Sequence, residues 1–433
     1  MQPYELTATQ ASRLIAEGQL SCEELARSCL ARISEREPTL RAWAYVDPDQ
    51  VVRNARELDK SPPHGVLYGL TWGVKDVINT FDMPTGHNSP IYKGHFAGKD
   101  AACVAIARHC GAQIVGKTET FEFAAVGRPA ITRNARNSAH SPGASSSGSA
   151  AAVGDSMVQL AFATQTGGSL IRPAAYNGIY GFKPTHGAVS NEGAKMFAPT
   201  LDTIGWYGRS VDDLALVAEA FQLSQNNEQH SLDIKGLRIG LCRGPNWSHI
   251  EASGKAALIT AANLLESAGA IVEDLDLPEP FEQITQAHRV IMRGEGRVSL
   301  RNEYLQHHSK VHEELRLLVE DTSATDIPAL IAARDMAAQC RGILDSLFGR
   351  SLDLVITPPA PGEAPHGLAS PGTMIFNAMW TALHVPCIAI PAGVSRSGLP
   401  LGIQLVGPRG TDAALLNMAR ACSDIIGQDN IIG

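Results

Sequence analysis

Three stretches of this sequence hold side chains suited to acyl-transfer chemistry. Lys75 stands in Gly73-Val74-Lys75-Asp76, three serines run through Ser145-Ser146-Ser147, and Ser169 closes the tetrapeptide Thr166-Gly167-Gly168-Ser169. Splitting an acyl bond requires a nucleophile, a base to take its proton, an acid for the leaving group and donors for the developing oxyanion. Ser169 suits the first role and Lys75 the second, and backbone amides around paired glycines could converge on an oxyanion. Each stretch has a plainer reading as well: a Ser-rich run is commonly a turn, Gly-Gly-Ser punctuation, and Val-Lys-Asp the solvent end of a strand.

The elements around these residues are legible from their periodicity. Ser21 with Glu24 has capping-box spacing ahead of Leu25, Cys29, Leu30 and Ile33, which predicts a helix over 21–35 after an earlier one over 7–17. The pattern predicts a strand at 42–46, a helix at 48–59 and a buried strand at 70–77 that ends near Lys75. A helix over 100–110, a Gly111 cap and a strand at 113–117 follow. This strand–helix–strand succession favours helices packed on a mostly parallel sheet. Residues 137–149 are too poor in bulky side chains for a core element and read as a loop shaped by its backbone, before a close-packed helix at 150–153 and a strand at 158–164. The α/β alternation continues with a strand at 237–241, a helix at 253–268 capped by Gly269 and a strand at 271–277. Residues 281–350, charged and helical, read as an insertion over the core. The sheet resumes at 352–357, residues 387–392 and 401–406 form a hairpin around a 395–398 turn, and 412–426 is a final helix.

Composition narrows the function classes. The chain has 433 residues, 44% hydrophobic and 18% charged, with 40 Gly and 25 Pro, as in a compact, loop-rich protein with a sizeable core. A net charge of −8 argues against nucleic acid as a partner. No apolar run spans a membrane, and Met1-Gln2-Pro3-Tyr4-Glu5-Leu6 lacks the features of a secretory signal, so a cytoplasmic protein with no membrane partner is expected. Eight cysteines without a CxxC read as reduced core thiols, with Cys22/Cys29 and Cys103/Cys110 each on one helix face. His307, His308 and His312 lie on a charged helical face, which reads as solvated surface, not as metal ligands.

Taken together, the stretches resemble the amidase signature family. The resemblance rests on Gly73-Val74-Lys75-Asp76, Pro142-Gly143-Ala144-Ser145-Ser146-Ser147-Gly148-Ser149-Ala150-Ala151, Thr166-Gly167-Gly168-Ser169, Arg172-Pro173-Ala174 and Gly181-Phe182-Lys183-Pro184-Thr185. It continues through 201–205 and 398–407 and is weakest over 280–350. It implies one α/β domain with a large mixed central sheet flanked by helices, and a Ser–cis-Ser–Lys triad of Ser169, Ser145 and Lys75. In this scheme the oxyanion hole lies around Thr166, Gly167, Gly168 and Ser169, and no cofactor or metal is needed. A lysine base must be neutral, yet an unperturbed pKa of ~10.4 leaves about one in a thousand neutral near pH 7.4, so burial has to lower it.

Gln165 stands where many relatives carry Asp, Ala144 replaces a usual glycine, and Ser147 stands where glycine is common. Gln165 followed by Thr-Gly-Gly-Ser-x-x-Arg-Pro is similar to the malonamidase-type subgroup, in which an arginine placed like Arg172 binds a substrate carboxylate; bracing of loop carbonyls is the equal alternative. The expected activity is hydrolysis of a small, polar or carboxylated amide through an acyl-enzyme, with biuret-type amides close behind. A glutaminase subunit of a tRNA-dependent amidotransferase is the first alternative, and a non-catalytic binding protein on the same scaffold the remote one. The expected partners are the small-molecule amide and, as an option, a second copy of the chain in a homodimer. A Ser–His–Asp arrangement competes mechanistically, with His140 and His186 flanking the serine stretches and Asp155 and Asp202 available, but no Gly-x-Ser-x-Gly surrounds Ser169.

Overall fold

The computed structural model describes residues 2–223, 233–321, 326–427 and 431–432. Its strands are β1 (Trp43–Val46), β2 (Thr71–Lys75), β3 (Gln113–Thr118), β4 (Leu160–Gln165), β5 (Tyr180–Lys183), β6 (Thr203–Gly208), β7 (Arg238–Leu241), β8 (Ile271–Asp274), β9 (Leu354–Thr357), β10 (Cys387–Ser395), β11 (Pro400–Val406) and β12 (Ile431–Ile432). The helices are α1 (Ala8–Ala16), α2 (Cys22–Leu40), α3 (Pro48–Asp59), α4 (Ala102–His109), α5 (Ser147–Gly154), α6 (Ile171–Asn177), α7 (Val211–Ala220), α8 (Ala252–Ser267), α9 (Ile284–Ser299), α10 (Arg301–His307), α11 (Glu313–Glu320), α12 (Ile327–Leu347), α13 (Ile375–Ala382) and α14 (Asp412–Ile426).

Local chemistry sets several boundaries. Ser21 Oγ accepts from Glu24 N while Glu24 reaches back to Ser21 N, the reciprocal capping predicted for α2. The helix runs five residues beyond the predicted end, through Pro38, and stops where Arg41 turns left-handed at φ 52°. Asp47 caps α3 with Pro48 in the first turn, and α3 and α14 match their predicted spans.

All the strands join one sheet, in the order β1-β3-β2-β4-β6-β5-β10-β11-β9-β7-β8, with β12 beside β10. The sheet is mixed. Parallel pairs occur where a helix links neighbouring strands, as in β2–β3 and β7–β8, but β4–β6, β6–β5, β5–β10, β10–β11 and β11–β9 are antiparallel. The mostly parallel sheet expected from local alternation is therefore corrected at its centre. There β6 inserts between β4 and β5, so the helix between those two strands does not make them neighbours.

This order brings the carboxyl ends of β2 and β4 side by side, with Val74 opposite Phe162 in a parallel register. Every residue of β2 is buried, because strands flank it on both sides and helices cover the sheet. The carboxyl edge of parallel strands is a common place for α/β proteins to build sites. Helix α5, Ser-Gly-Ser-Ala-Ala-Ala-Val-Gly, is buried along its whole length. Its small side chains let its backbone sit against the β-sheet; a Cβ on Gly148 would run into Ala42 O and Glu119 N, both backbone atoms. The loop preceding α5, which carries Ser145 and Ser146, is thereby held beside the end of β2.

Residues 281–350 form four helices, α9 to α12, with part of the connection outside the described residues. Helix α9 packs on α12 and on α13 and so links this helical segment to the core. All eight cysteines are unpaired thiols, seven buried and Cys110 half-buried.

Candidate active site

Lys75, at the end of β2, is fully buried, and its Nζ lies 2.7 Å from Ser145 Oγ, 2.9 Å from Ser146 Oγ and 2.6 Å from Thr164 Oγ1. Among the described residues no carboxylate bonds directly to the amine. Desolvation is the dominant influence and brings its pKa down to about 7, against an opposing pull from the Asp202 charge. Half of the amine is thus neutral near pH 7. A neutral amine donates two hydrogens and offers one lone pair, so three hydroxyls can all be bonded, one of them as donor to nitrogen. Ser146 is not that donor, because its hydroxyl hydrogen goes to Thr164 O while its oxygen also accepts from Thr164 N. Ser145 and Thr164 are left, and Ser145 is the one whose preceding carbonyl, Ala144 O, is held by Arg172, three residues beyond Ser169.

That loop is tightly braced. The peptide joining Ala144 to Ser145 is cis, as the sequence resemblance implies. Arg172, on α6 and nearly buried, donates from Nη2 to Ala144 O at 2.8 Å and from Nη1 to Gly372 O at 2.9 Å, while its Nε finds no protein acceptor. Asn134 donates to Ser141 O and Tyr176 O, and Asn177 to Pro142 O and Pro173 O. These amides satisfy carbonyls that an irregular, buried loop cannot pair with itself.

The Thr166–Ser169 turn follows β4 directly. Thr166 uses its hydroxyl on Asp202, whose other oxygen accepts from Phe197 N and Ala198 N. Burial raises the Asp202 pKa to about 6, opposed by these donors and by Lys75. Three carbonyls of the turn are bound: Thr166 O by His288 Nε2 at 2.8 Å, Gly167 O by Thr381 Oγ1 at 2.9 Å and Gly168 O by Arg172 N at 3.1 Å. Among the described residues, the N–H groups of Gly167, Gly168 and Ser169 have no protein acceptor. A Cβ on Gly167 would meet Met374 Sδ and one on Gly168 would meet Asn377 Oδ1, so the paired glycines are required for close approach. Ser169 is half-buried, and its hydroxyl makes no hydrogen bond to another described residue.

Gln165 ties the turn to α6 and α13. Its Oε1 accepts from Leu170 N and Ile171 N at 3.0 Å each, satisfying the start of α6, and its Nε2 donates to Thr381 Oγ1 at 2.9 Å. A carboxylate there could accept but not donate. Of the residues of the competing triad, Asp202 holds Thr166 as described, and the other three lie elsewhere in the hydrogen-bond pattern. His140 packs edge-on against His366, His186 stacks on His384 and contacts Pro199 O, and Asp155 pairs with Arg32 and Arg36. His312 caps α11 and His308 is exposed near Glu320; among the described residues no His/Cys/Asp/Glu cluster could hold a metal ion. No described helix is long and apolar enough to cross a membrane.

Ser146, Thr164, His288 and Thr381 were not singled out from sequence. Ser146 had a signal in the serine run. His288 had a subtler one, a polar residue on the buried stripe Ile284, Ala287, His288, Ile291 of α9.

The family model described as Amidase matches residues 24–416. The chain belongs to the amidase family. The A subunit of glutamyl-tRNA(Gln) amidotransferase from Symbiobacterium thermophilum is 32% identical over 96% of each chain, and that from Streptococcus pneumoniae 30% identical over 96% of this chain and 95% of its own. Among solved structures, peptide amidase from Stenotrophomonas maltophilia superposes with a TM-score of 0.81 at 27% identity, covering 99% of this chain and all of its own. A structure described as amidase does so with a TM-score of 0.87 at 25% identity, over 98% of this chain and all of its own. The protein is an amidase-family hydrolase.

The burial of Lys75 has a consequence for stability. Its folded pKa, about 7, lies below its unfolded value, so between about pH 7 and 10.5 the unfolded chain binds the extra proton and stability rises with pH, by up to ~1.4 kcal/mol per unit from this group. Lys75→Met removes that contribution. Denaturant unfolding at pH 7, 8 and 9 is expected to show the parent gaining on the variant at each step; parallel stability curves would mean that the buried amine keeps an ordinary pKa.

Proposed function

We propose that this protein hydrolyses a small, polar amide through an acyl-enzyme on Ser169, without a cofactor. The observation that carries the reading is the buried Lys75 amine, brought near neutrality at physiological pH and 2.7 Å from Ser145 Oγ. Ser169 Oγ attacks the carbonyl carbon, its proton passes to Ser145 Oγ, and the Ser145 proton passes to Lys75 Nζ. The carbonyl oxygen, now negative, takes the N–H groups of Gly167, Gly168 and Ser169, which have no other protein acceptor. The tetrahedral intermediate collapses as the relay runs backwards and Ser145 protonates the leaving nitrogen. Water then attacks the acyl carbon, its proton taking the same route, and releases the carboxylate and free Ser169.

For Arg172 we favour bracing of the relay loop over a substrate carboxylate. Each terminal nitrogen gives a hydrogen to a carbonyl, that of Gly372 or that of Ala144, which ties the guanidinium to the loop, and Nε has no partner among the described residues. This weakens the malonamidase-type reading without touching the amide chemistry. A second reading, glutaminase within an amidotransferase, is favoured by full-length relatives at 30–32% identity whose names make them the A subunit of such an enzyme.

Ammonia release from propionamide, malonamate, biuret and glutamine separates these readings. Activity of the isolated chain on a small amide is expected, with a loss of about a thousandfold or more in Ser169→Ala. Arg172→Gln is expected to lower the melting temperature and to reduce rates on propionamide and malonamate alike, since each lost charge-assisted hydrogen bond is worth ~1.5–3 kcal/mol. A drop confined to malonamate would restore the carboxylate role. Glutamine hydrolysis that appears only on adding a partner protein would favour the amidotransferase reading, and full activity of Ser169→Ala would reject the acyl-enzyme.

A further inference from the structure

A trans peptide unit directs its C=O and its N–H to opposite sides of the chain. Whatever grips a carbonyl on one side therefore aims the next residue's N–H on the other. The first two peptide units of the turn are gripped by side chains, each from a different helix. His288, on α9, holds Thr166 O at 2.8 Å; Thr381, on α13, holds Gly167 O at 2.9 Å. The N–H groups opposite these carbonyls are those of Gly167 and Gly168, two donors without a protein acceptor. We propose that His288 and Thr381 are positioning residues that aim the Gly167 and Gly168 amides at the oxyanion, an inference that rests on the acyl-enzyme reading above.

The chemistry at each contact fixes the direction of donation. Thr166 O can only accept, so His288 Nε2 carries the proton and Nδ1 is bare, and Nδ1 is buried with no partner. The ring thus keeps an unsatisfied nitrogen to make this one bond, an arrangement that packing alone does not call for. Burial holds the His288 pKa down to about 4, so the ring stays neutral and in one tautomer over the working pH range. The Thr381 hydroxyl has one hydrogen and two acceptors within reach, Gly167 O at 2.9 Å and Asn377 O at 3.2 Å. Gln165 Nε2 donates into the same oxygen and so leaves the hydroxyl's hydrogen free to turn outward. With Asp at position 165 the hydroxyl would be drawn towards the carboxylate and away from Gly167 O. In this scheme Gln165 and Thr381 belong together, and the α9 segment between β8 and β9 takes part in catalysis through a backbone contact although it supplies no reacting group.

The test uses the rate at which a fluorophosphonate acylates Ser169, because the phosphoryl oxygen gains negative charge in the same place as the carbonyl oxygen. His288→Phe keeps a ring but removes the donor, and His288→Gln returns an N–H at nearly the same distance from the backbone. His288→Phe and Thr381→Val are expected to slow labelling about 10- to 100-fold, below the cost of deleting an oxyanion donor outright. His288→Gln is expected to recover to within a few-fold of the parent. On an amide that the parent hydrolyses, the loss should fall on kcat and leave KM nearly unchanged. Parent-like labelling in folded His288→Phe overturns the role of His288, and so does a failure of His288→Gln to recover in a protein of parent-like melting temperature. Should His288→Phe not fold, Thr381→Val, which preserves shape, and His288→Gln decide the matter in the same terms. A phosphonyl adduct mapped in the parent to a residue other than Ser169 would instead reject the underlying acyl-enzyme reading.

Discussion

A lysine amine with no carboxylate partner among the described residues sits in the interior of this protein, and most of the site's architecture follows from the need to accommodate it. A buried ammonium is expensive, so the group lowers its own proton affinity until the neutral form competes near pH 7. What surrounds Nζ is suited to that form: three hydroxyl oxygens, those of Ser145 and Thr164 able to give as well as take a hydrogen, instead of a carboxylate that would restore the charge. Asp202 supplies a more distant negative field, and its own charge is absorbed by Thr166 and two backbone amides. The protonation of this amine and of the nearby carboxyl is thus set by burial and by who bonds to whom.

The mixed sheet makes this placement rigid. Parallel pairing of β2 with β4 puts Lys75 beside Thr164, and continuing past β4 by a few residues gives the Gly167–Gly168 turn. Irregular backbone at such a spot carries carbonyls that need donors, and these come from side chains with several N–H groups: Arg172, Asn134 and Asn177 around the relay loop. Around the turn the donors are His288 and Thr381. The two loops differ in one respect. The relay loop has its carbonyls satisfied, whereas the turn is left with outward N–H groups that only a ligand or solvent can engage.

The stretches that carry Lys75, the Ser145 run and Ser169 were legible in the sequence because each is short and unusual and their order is distinctive. Helices with sharp caps were legible for a local reason, as Asp47-Pro48 and the Ser21/Glu24 pair show. Strand order was not. Alternation of strands and helices constrains neighbours only when a crossover links adjacent strands, and β6 enters the sheet between β4 and β5 against that expectation. The donors behind the turn were equally hidden, since His288 lies more than a hundred residues from Thr166 and is distinguished only by sitting on an apolar stripe. Gln165 was visible as a departure, but its purpose emerged only with Thr381 in place.

The central claim is that the proton relay runs through a neutral Lys75. It is tested most directly by the pH dependence of kcat/KM for a small amide, measured under conditions in which the fold is intact throughout. If Lys75 is the base, the rate climbs about tenfold per unit on the acid side, turns over near pH 7 and stays level above it. In Lys75→Ala the activity is then lost at every pH. A midpoint near the ordinary lysine value, or the same profile surviving in Lys75→Ala, would contradict the account.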